Sequence, residues 1–348
     1  MAPRRVTLKD VAGKAGVSIV TASRVLNGSA TPIPLSEATR KRVHAAAERL
    51  GYRPNPHARS IRTGRHDRVA LLESTEAIRS VAPREMIWAI EDALAKRDMH
   101  LTMARLPDDK LVSEEFMFKL LARWSADGLI IHYTQAIPAG LQRMIARYSL
   151  PAVWINSKQA HDCVHPDDFG GARQITRRLI DLGHTRIAYA DYYGMPRTGK
   201  ATAHYSAPDR RDGYIKEMRA AKLKPTVLCE GTSPGDGALV AFSKTWLSKK
   251  TRPTAVVTYG PHAAVPIIHA AALCGITVPD DLSVATFNDD VLRALDHAVT
   301  AARIPSDACG RAAVEMLCSK LDAPRKQHKT IAFPMTVLDG TTCVRPRA

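Results

Sequence analysis

No run of apolar residues in this 348-residue sequence approaches the length needed to cross a membrane, and the basic amino terminus lacks the apolar core of a secretion signal. The first absence excludes a membrane-embedded role and the second excludes export, so a cytoplasmic location is expected. Cys-x-x-Cys pairs are missing as well. The six cysteines (Cys163, Cys229, Cys274, Cys309, Cys318 and Cys343) are scattered and read as reduced core residues rather than a disulfide framework. Acidic residues are scarce at one end only. Through Arg68 the chain has 14 Lys/Arg against 4 Asp/Glu, or +10 of the total +16, and the other 280 residues carry only +6. A basic head on a nearly balanced body is the electrostatic footprint of nucleic-acid binding.

What is present in that head is a pair of capped helical patterns. In Val6–Asn27, Thr7 is placed to cap a first helix, with Asp10 three positions later completing a capping box. Leu8, Val11, Ala12 and Ala15 follow the i, i+3, i+4, i+7 spacing of one buried stripe. Gly16 permits a sharp turn and Ser18 caps a second helix. On it Ala22, Val25 and Leu26 face inward, while Ile19, Val20, Ser23, Arg24 and Asn27 face outward. An ordinary αα-hairpin would share this pattern; the charge decides for a helix-turn-helix whose second helix enters the major groove. A third helix starts at Ser36, buries Val43, Ala46, Ala47 and Leu50, and stops at Gly51. Asn55-Pro56 and Gly64 bracket one or two further turns, too short to be stable alone in water. Those turns are expected to form only on DNA, against the same segment of a second subunit.

The segments VTLKDVAGKAGVS, TASRVLNG, ATRKRV, GYRPN and ARSIRTG resemble the headpiece and hinge of the lactose/galactose repressor (LacI/GalR) family. The likeness continues sparsely through Asp127-Gly128, Asp167-Asp168, LIDLGHTRIA, Arg210 with Gly213-Tyr214, and VPDDLSVATFND. The resemblance implies a helix-turn-helix headpiece (1–54), a hinge helix and linker (55–67), and a two-lobed, periplasmic-binding-protein-like α/β domain (68–348). Lobe 1 would span about 68–162 and 302–323, and lobe 2 about 163–301 and 324–345. It further implies a homodimer on a near-palindromic double-stranded DNA operator and a small effector, sugar or sugar acid, held between the lobes. No cofactor, metal or enzymatic activity is implied.

By the same resemblance, Thr7, Ser18, Thr21, Ser23, Asn27, Ser36, Thr39 and Asn55 are candidates for phosphate contacts, which fix register without reading sequence. Arg24 is the candidate for bidentate recognition of a guanine edge, with a phosphate clamp as its other role. Ile19 and Val20 occupy the positions that set operator choice; both are apolar, so they reach a thymine methyl but not a base hydrogen bond. Ile19 has a second role open to it, stapling the second helix to the first. Ile61 stands where the family carries a leucine that wedges into the minor groove, and Ala58, Arg59 and Arg62 flank it. The loop 28–35 is about three residues longer than the family's and holds two prolines.

The body alternates β-rich runs (VALL, LTMA, LIIH, AVWIN, RIAYA, TVLCE, AVVTY, SVATF) with helix-spaced patterns such as Met86, Ile87, Ile90, Ala93 and Leu94. Such alternation predicts parallel sheets covered on both faces. The chain is expected to cross between lobes near 162–164, 300–304 and 323–329, with a ligand at the carboxyl ends of the strands. With no heptad pattern after the last strand-like run (330–338), a dimer is expected rather than a tetramer.

Three motifs invite other readings. Gly231-Thr232-Ser233-Pro234-Gly235 matches a nucleophile elbow, but Pro234 lacks the N–H that an oxyanion hole requires. Residues 194–201 approach a phosphate-binding loop, but Ala201 replaces the hydroxyl that holds magnesium. His161, Cys163 and His165 share strand spacing and could bind zinc, yet no fourth ligand is evident; a solvated crossover segment is the favoured alternative.

For the effector, the family pattern maps onto His132, Tyr133, Asn156, Arg210, Gly260 and Asn288, with Tyr192 and Tyr193 added from this sequence. Arg210 is suited to fork onto vicinal hydroxyls or a carboxylate. Departures accumulate around it. Gly260-Pro261 stands where the family shows Asn-Asp, Asn288 replaces an acceptor Asp, and Ser80-Val81-Ala82-Pro83 replaces an apolar run. Two expectations follow: an unusual ligand, such as a modified or acidic sugar, or a lobe pair that no longer binds one.

Overall fold

The computed structural model describes residues 6–27, 35–53, 64–75, 81–107, 126–134, 137–192, 204–229, 235, 237–294 and 296–347. The chain divides into two compact units, Met1–His66 and Asp67–Ala348.

In the first unit, α1 (Leu8–Ala15) opens on Thr7, whose hydroxyl accepts from the Asp10 N–H while the Asp10 carboxylate takes the Thr7 N–H at 2.8 Å. It closes on Gly16 at φ 64°, a left-handed backbone that glycine adopts without a Cβ clash. The chain then re-enters helix as α2 (Ile19–Asn27), capped by Ser18. Ser36 and Gly51 bracket α3 (Glu37–Leu50) in the same way. Val11, Ala12, Ala15, Ala22, Val25, Val43, Ala46 and Ala47 are buried in one core, ringed by Leu8, Val17, Leu26, Leu50 and Tyr52. Small residues at the contacts let three short helices pack closely, leaving the polar faces outward.

The second unit contains two sheets. The first has the order β12-β5-β4-β3-β1-β2 and is parallel throughout: β1 (Arg68–Ser74), β2 (His100–Leu106), β3 (Gly128–His132), β4 (Ala152–Ile155), β5 (Cys163–Pro166) and β12 (Ile331–Phe333). One face carries α4 (Arg84–Ala95) and α10 (Ser306–Asp322), the other α5 (Ala139–Tyr148). The second sheet has the order β10-β11-β9-β8-β6-β7. Its strands β6 (Ile187–Ala190), β7 (Thr226–Leu228), β8 (Ala255–Thr258), β9 (Ser283–Asn288) and β11 (His297–Arg303) run parallel. Antiparallel to β11 lie β10 (Leu292–Ala294) and β13 (Thr336–Leu338). Helices α6 (Asp168–Asp181) and α7 (Ser206–Ala220) cover one face; α8 (Leu239–Leu247) and α9 (Pro261–Leu273) cover the other. Burial on both faces explains why the strands read as continuous apolar runs rather than alternating ones.

The crossings between sheets differ in two places from the sequence expectation. β5 and β12 both belong to the first sheet, where Ile155 and Ile331 each pair with Val164. The chain therefore leaves that sheet after Pro166 and after Phe333, beyond the expected 162–164 and 323–329, and the expected lobe 2 segments 163–166 and 331–333 belong with lobe 1. The physical reason is burial: Cys163, Val164, His165 and Pro166 are all interior, so the two polar residues do not mark a solvated crossover. The remaining crossing follows Arg303, between β11 and α10, at the end of the expected 300–304.

Helices α6 and α7 touch at Gly213, where a Cβ would lie 2.4 Å from the Phe169 carbonyl oxygen and 2.8 Å from the Ala172 Cβ. Both obstacles are rigid, so Gly213→Ala is expected to lower the unfolding free energy of the full chain by about 1–3 kcal/mol, measured by urea titration.

Candidate nucleic-acid interface and ligand cleft

The outward face of the headpiece is built by the caps that start its helices. The Ser18 and Thr21 hydroxyls are 2.9 Å apart, and the Thr21 N–H donates to Ser18 Oγ at 3.1 Å. Ser36 and Thr39 repeat this arrangement at 2.9 and 3.3 Å. Thr7, Ser18 and Ser36 are exposed, while Thr21, Ser23, Arg24 and Thr39 are partly buried. Helix N-termini with free amide groups and hydroxyls suit phosphate. On α2, Ile19 is 48% exposed and Val20 68%. Ile19 thus keeps half its surface in water, more than a staple against α1 would leave. Asn27 ends α2. Asn55, Ala58, Arg59, Ile61 and Arg62 lie outside the described residues.

In the second unit, the carboxyl ends of both sheets bring together a polar network. From the first sheet come Glu73, Ser74, His132, Asn156 and His165; from the second, Asp191, Tyr259, Asn288 and Asp289, joined by Asp168 at the start of α6 and His204–Arg210 at the start of α7. Asn156 follows β4 in a left-handed backbone (φ 56°), which asparagine enters more readily than most residues. Its carbonyl faces His204 Nε2 at 2.9 Å, and its carboxamide lies 3.4 Å from both His132 Nε2 and the Tyr205 hydroxyl. His204 Nδ1 meets Ser206 Oγ at 2.7 Å, and Ser206 meets the Tyr259 hydroxyl at 2.8 Å. His165 and Tyr205 pack edge to face, 5.4 Å between centroids. Lys158 and Asp209 form a further bridge between the lobes at 2.5 Å.

Arg210 sits at the centre. Its Nε donates to Asp168 Oδ1 and its Nη1 to the Tyr259 carbonyl, both at 2.6 Å, and the guanidinium lies over the Phe287 and Tyr259 rings at 4.3 and 4.7 Å. Part of the fork expected to grip a ligand is therefore engaged inside the protein. Asp168 occupies the first turn of α6, where the helix dipole favours a negative charge.

Burial governs the ionisation of the neighbours. The His132 ring is pushed down to about 3 by desolvation, reinforced by His204, so it is neutral beside Glu73 at 3.9 Å. His204 is lowered by its own burial, and Asp289, which accepts from the Ser306 hydroxyl, is raised by burial.

The sequence-based candidates thus separate. His132 and Asn156 meet at the end of the first sheet, while Arg210 lies over Phe287 at the end of the second and Asn288, the next residue, donates its carboxamide to the Asp290 carbonyl at 2.8 Å. Tyr192 does not join them: its hydroxyl is 3.0 Å from Ser243 Oγ and accepts from Trp246 at 3.2 Å, inside the core beneath α8. Tyr133 is likewise buried, among Leu141, Met144 and Leu72. Gly260 is extended and caps α9, with Pro261 at its first position. Tyr193, the 194–201 loop and residues 231–234 lie outside the described residues. The zinc reading fails on partners: the Cys163 thiol donates to the Ser157 carbonyl at 2.7 Å, His165 Nδ1 meets the Pro166 carbonyl at 2.7 Å, and His161 sits at the surface by Asp162. Sequence reasoning missed Glu73, Asp191 and Asp289 as cleft residues, although each closes or follows an apolar strand run, a signal that could have found them. His204, Tyr205 and Ser206 carried none.

A trihelical DNA-binding unit joined to two parallel-sheet lobes that meet at their strand ends defines the architecture of a ligand-responsive DNA-binding regulator. Residues 7–55 match the family of bacterial regulatory proteins, lacI family, and residues 176–343 match a periplasmic binding protein-like domain. The chain thus carries a lacI-family DNA-binding domain and a periplasmic-binding-protein-like domain; it is a DNA-binding transcriptional regulator and not an enzyme. It is 29% identical to the HTH-type transcriptional repressor PurR of Pectobacterium atrosepticum over 96% of this chain and 97% of that one. It is 28% identical to the regulator GalS of Salmonella typhimurium over 89% and 88%. Among solved structures, the lac repressor dimer bound to operator and the anti-inducer ONPF superposes with a TM-score of 0.78 at 22% identity, over 98% of this chain and all of that one. The CelR–cellobiose complex does so at 0.62 and 23%, over 97% of this chain.

The His132 assignment has a pH consequence. Above its ordinary value near 6.5 the ring is neutral folded or unfolded, so the stability is complete. As pH falls from 6.5 towards about 3, the unfolded chain takes up a proton that the folded state refuses. Unfolding free energy is expected to drop by about 1.4 kcal/mol per pH unit for this group, and His132→Gln to remove that one-proton slope in denaturant titrations at pH 7 and pH 5.

Proposed function

We propose that this protein is a cytoplasmic, homodimeric repressor that binds a near-palindromic DNA operator and changes its affinity when a small polar ligand occupies the cleft. The observation that carries the reading is the outward face of α2. Ile19 and Val20 project apolar surface into water beside the hydroxyl-capped helix starts, in a segment holding most of the chain's net charge. Among the described residues no helix is long and apolar enough to cross a membrane, which suits a cytoplasmic regulator. The lac repressor in the superposed structure is a dimer on its operator, and the same assembly is proposed here. Phosphate contacts are assigned to Thr7, Ser18, Thr21, Ser23, Asn27, Ser36, Thr39 and Asn55, base contacts to Ile19, Val20 and Arg24, and minor-groove contacts to Ala58, Arg59, Ile61 and Arg62.

In the cleft, a ligand would meet His132, Asn156, Arg210 and Asn288 at the strand ends. Coupling to DNA requires only that it bind one lobe arrangement more tightly than the other.

Selection of genomic fragments by the purified chain at two salt concentrations tests the reading. A preferred inverted repeat with affinity falling steeply in salt is expected; equal binding to random DNA by a monomer overturns it. On the selected site, Arg24→Ala is expected to relax preference at one base pair and to cost about 1–3 kcal/mol. Uniform weakening on every sequence would make Arg24 a phosphate clamp instead.

A further inference from the structure

A cavity of about 510 Å³ opens in lobe 1 at the end of the first sheet opposite to the cleft. It is bounded by Ala152, which begins β4, by Asp162, just ahead of β5, and by the last turns of α5 and α10. The cleft lies at the carboxyl ends of these strands. None of the groups proposed to meet a ligand there lines this cavity.

Part of the lining is apolar: Ile145 from the end of α5, Leu150 from the turn after it, and Trp154 on β4, which is 7% exposed. Another part is cationic. Lys320, near the end of α10, is 5% exposed, and its Nζ donates to Asp162 Oδ2 at 2.9 Å and to the Lys326 carbonyl at 3.1 Å. An ammonium carries three N–H groups, and the third has no partner among the described residues. Water has little access to a group so deeply covered, so the unused donor favours an acceptor arriving in the cavity.

Arg325, on the exposed loop after α10, also lines the cavity and enters no ion pair among the described residues. Asp162 does not serve it. That carboxylate meets Lys320 through Oδ2 and accepts the His328 N–H at Oδ1 at 2.9 Å. Neutral donors and acceptors complete the wall, with Gln142 donating to Gln159 at 3.4 Å.

We infer that this cavity binds a small planar aromatic anion, a carboxylate or a phosphate. Its ring would lie against Trp154, Ile145 and Leu150, and its anionic group would take the Arg325 fork and the third N–H of Lys320. A neutral apolar molecule would leave the Lys320 donor unmet, and a cation would face two like charges. A polyol would forgo the apolar wall. The volume falls in the range of ordinary small-molecule sites and admits one or two fused rings. Loops 159–162 and 324–327 run from the cavity into β5 and β12, the strands after which the chain crosses between sheets. Occupancy here would therefore act on those crossings without entering the cleft, and the site does not depend on the role proposed for the cleft.

Calorimetry on the full chain tests the site, with benzoate, 2-naphthoate and phenyl phosphate set against benzamide, acetate and inorganic phosphate. At least one aromatic anion is expected to bind tenfold or more tightly than its neutral or ringless counterpart; benzoate against phenyl phosphate tells which anionic group is preferred. Arg325→Ala, a surface change, should weaken that binding at least fivefold and Lys320→Met further, with folding checked by circular dichroism. Trp154→Phe should keep the heat of binding and abolish the accompanying change in tryptophan emission. The inference is overturned by heat from none of the aromatic anions, by benzamide binding as well as benzoate, by affinity unmoved in Arg325→Ala, or by an emission change that survives Trp154→Phe.

Discussion

The chain passes between the two sheets of the large unit three times, after Pro166, after Arg303 and after Phe333, and this constraint organises the rest of the molecule. Lobes linked by three short strands of backbone cannot separate freely, but they can turn about that bundle. The crossings at Pro166 and Phe333 follow neighbouring strands of the first sheet, and the one at Arg303 leaves the second sheet beside Asn288. The axis therefore lies at the edge of the cleft. Small rotations there become larger displacements at the far rims, a geometry that turns occupancy of a pocket into movement of a surface.

Parallel strands aim their carboxyl ends at the same gap, where polar groups from both sheets collect. His132 stays neutral because it is buried; Arg210 stays charged because Asp168 and two aromatic faces replace the water it lost. The bridges from lobe to lobe, Asn156 with His204 and Lys158 with Asp209, fall on one side of this network, at the start of α7. Among the described residues the lobes are thus joined at the cleft by a few directional contacts, the kind of closure whose equilibrium a bound small molecule is able to shift.

Local rules made the headpiece legible. The Thr7–Asp10 box, Ser18, Ser36 and the two left-handed glycines are interactions within four residues of chain, so their spacing in the sequence is their geometry in space. The parallel-sheet body was legible for the same reason, from the alternation of apolar runs and helix periods. The cleft was not, because its members meet only through long-range folding: Arg210 and Asp168 are 42 positions apart, and His132 and Asn156 24. Tyr192 shows the failure plainly. An aromatic hydroxyl just past a strand end suggests a ligand contact, yet the chain turns it into the core, where Ser243 and Trp246 satisfy it. The misplaced crossings have a related origin, since His165 reads as polar in sequence while its ring is covered by Tyr205.

The contact at Gly213 reaches further than packing. Arg210 lies three residues earlier on α7, nearly one turn away, and the Phe169 carbonyl that crowds Gly213 belongs to the residue next to Asp168. Both halves of the central ion pair are thus registered by the same glycine, which never faces the ligand. In a genetic screen for variants that no longer respond to a ligand of the proposed cleft site, this interior position belongs on the map beside those at the strand ends.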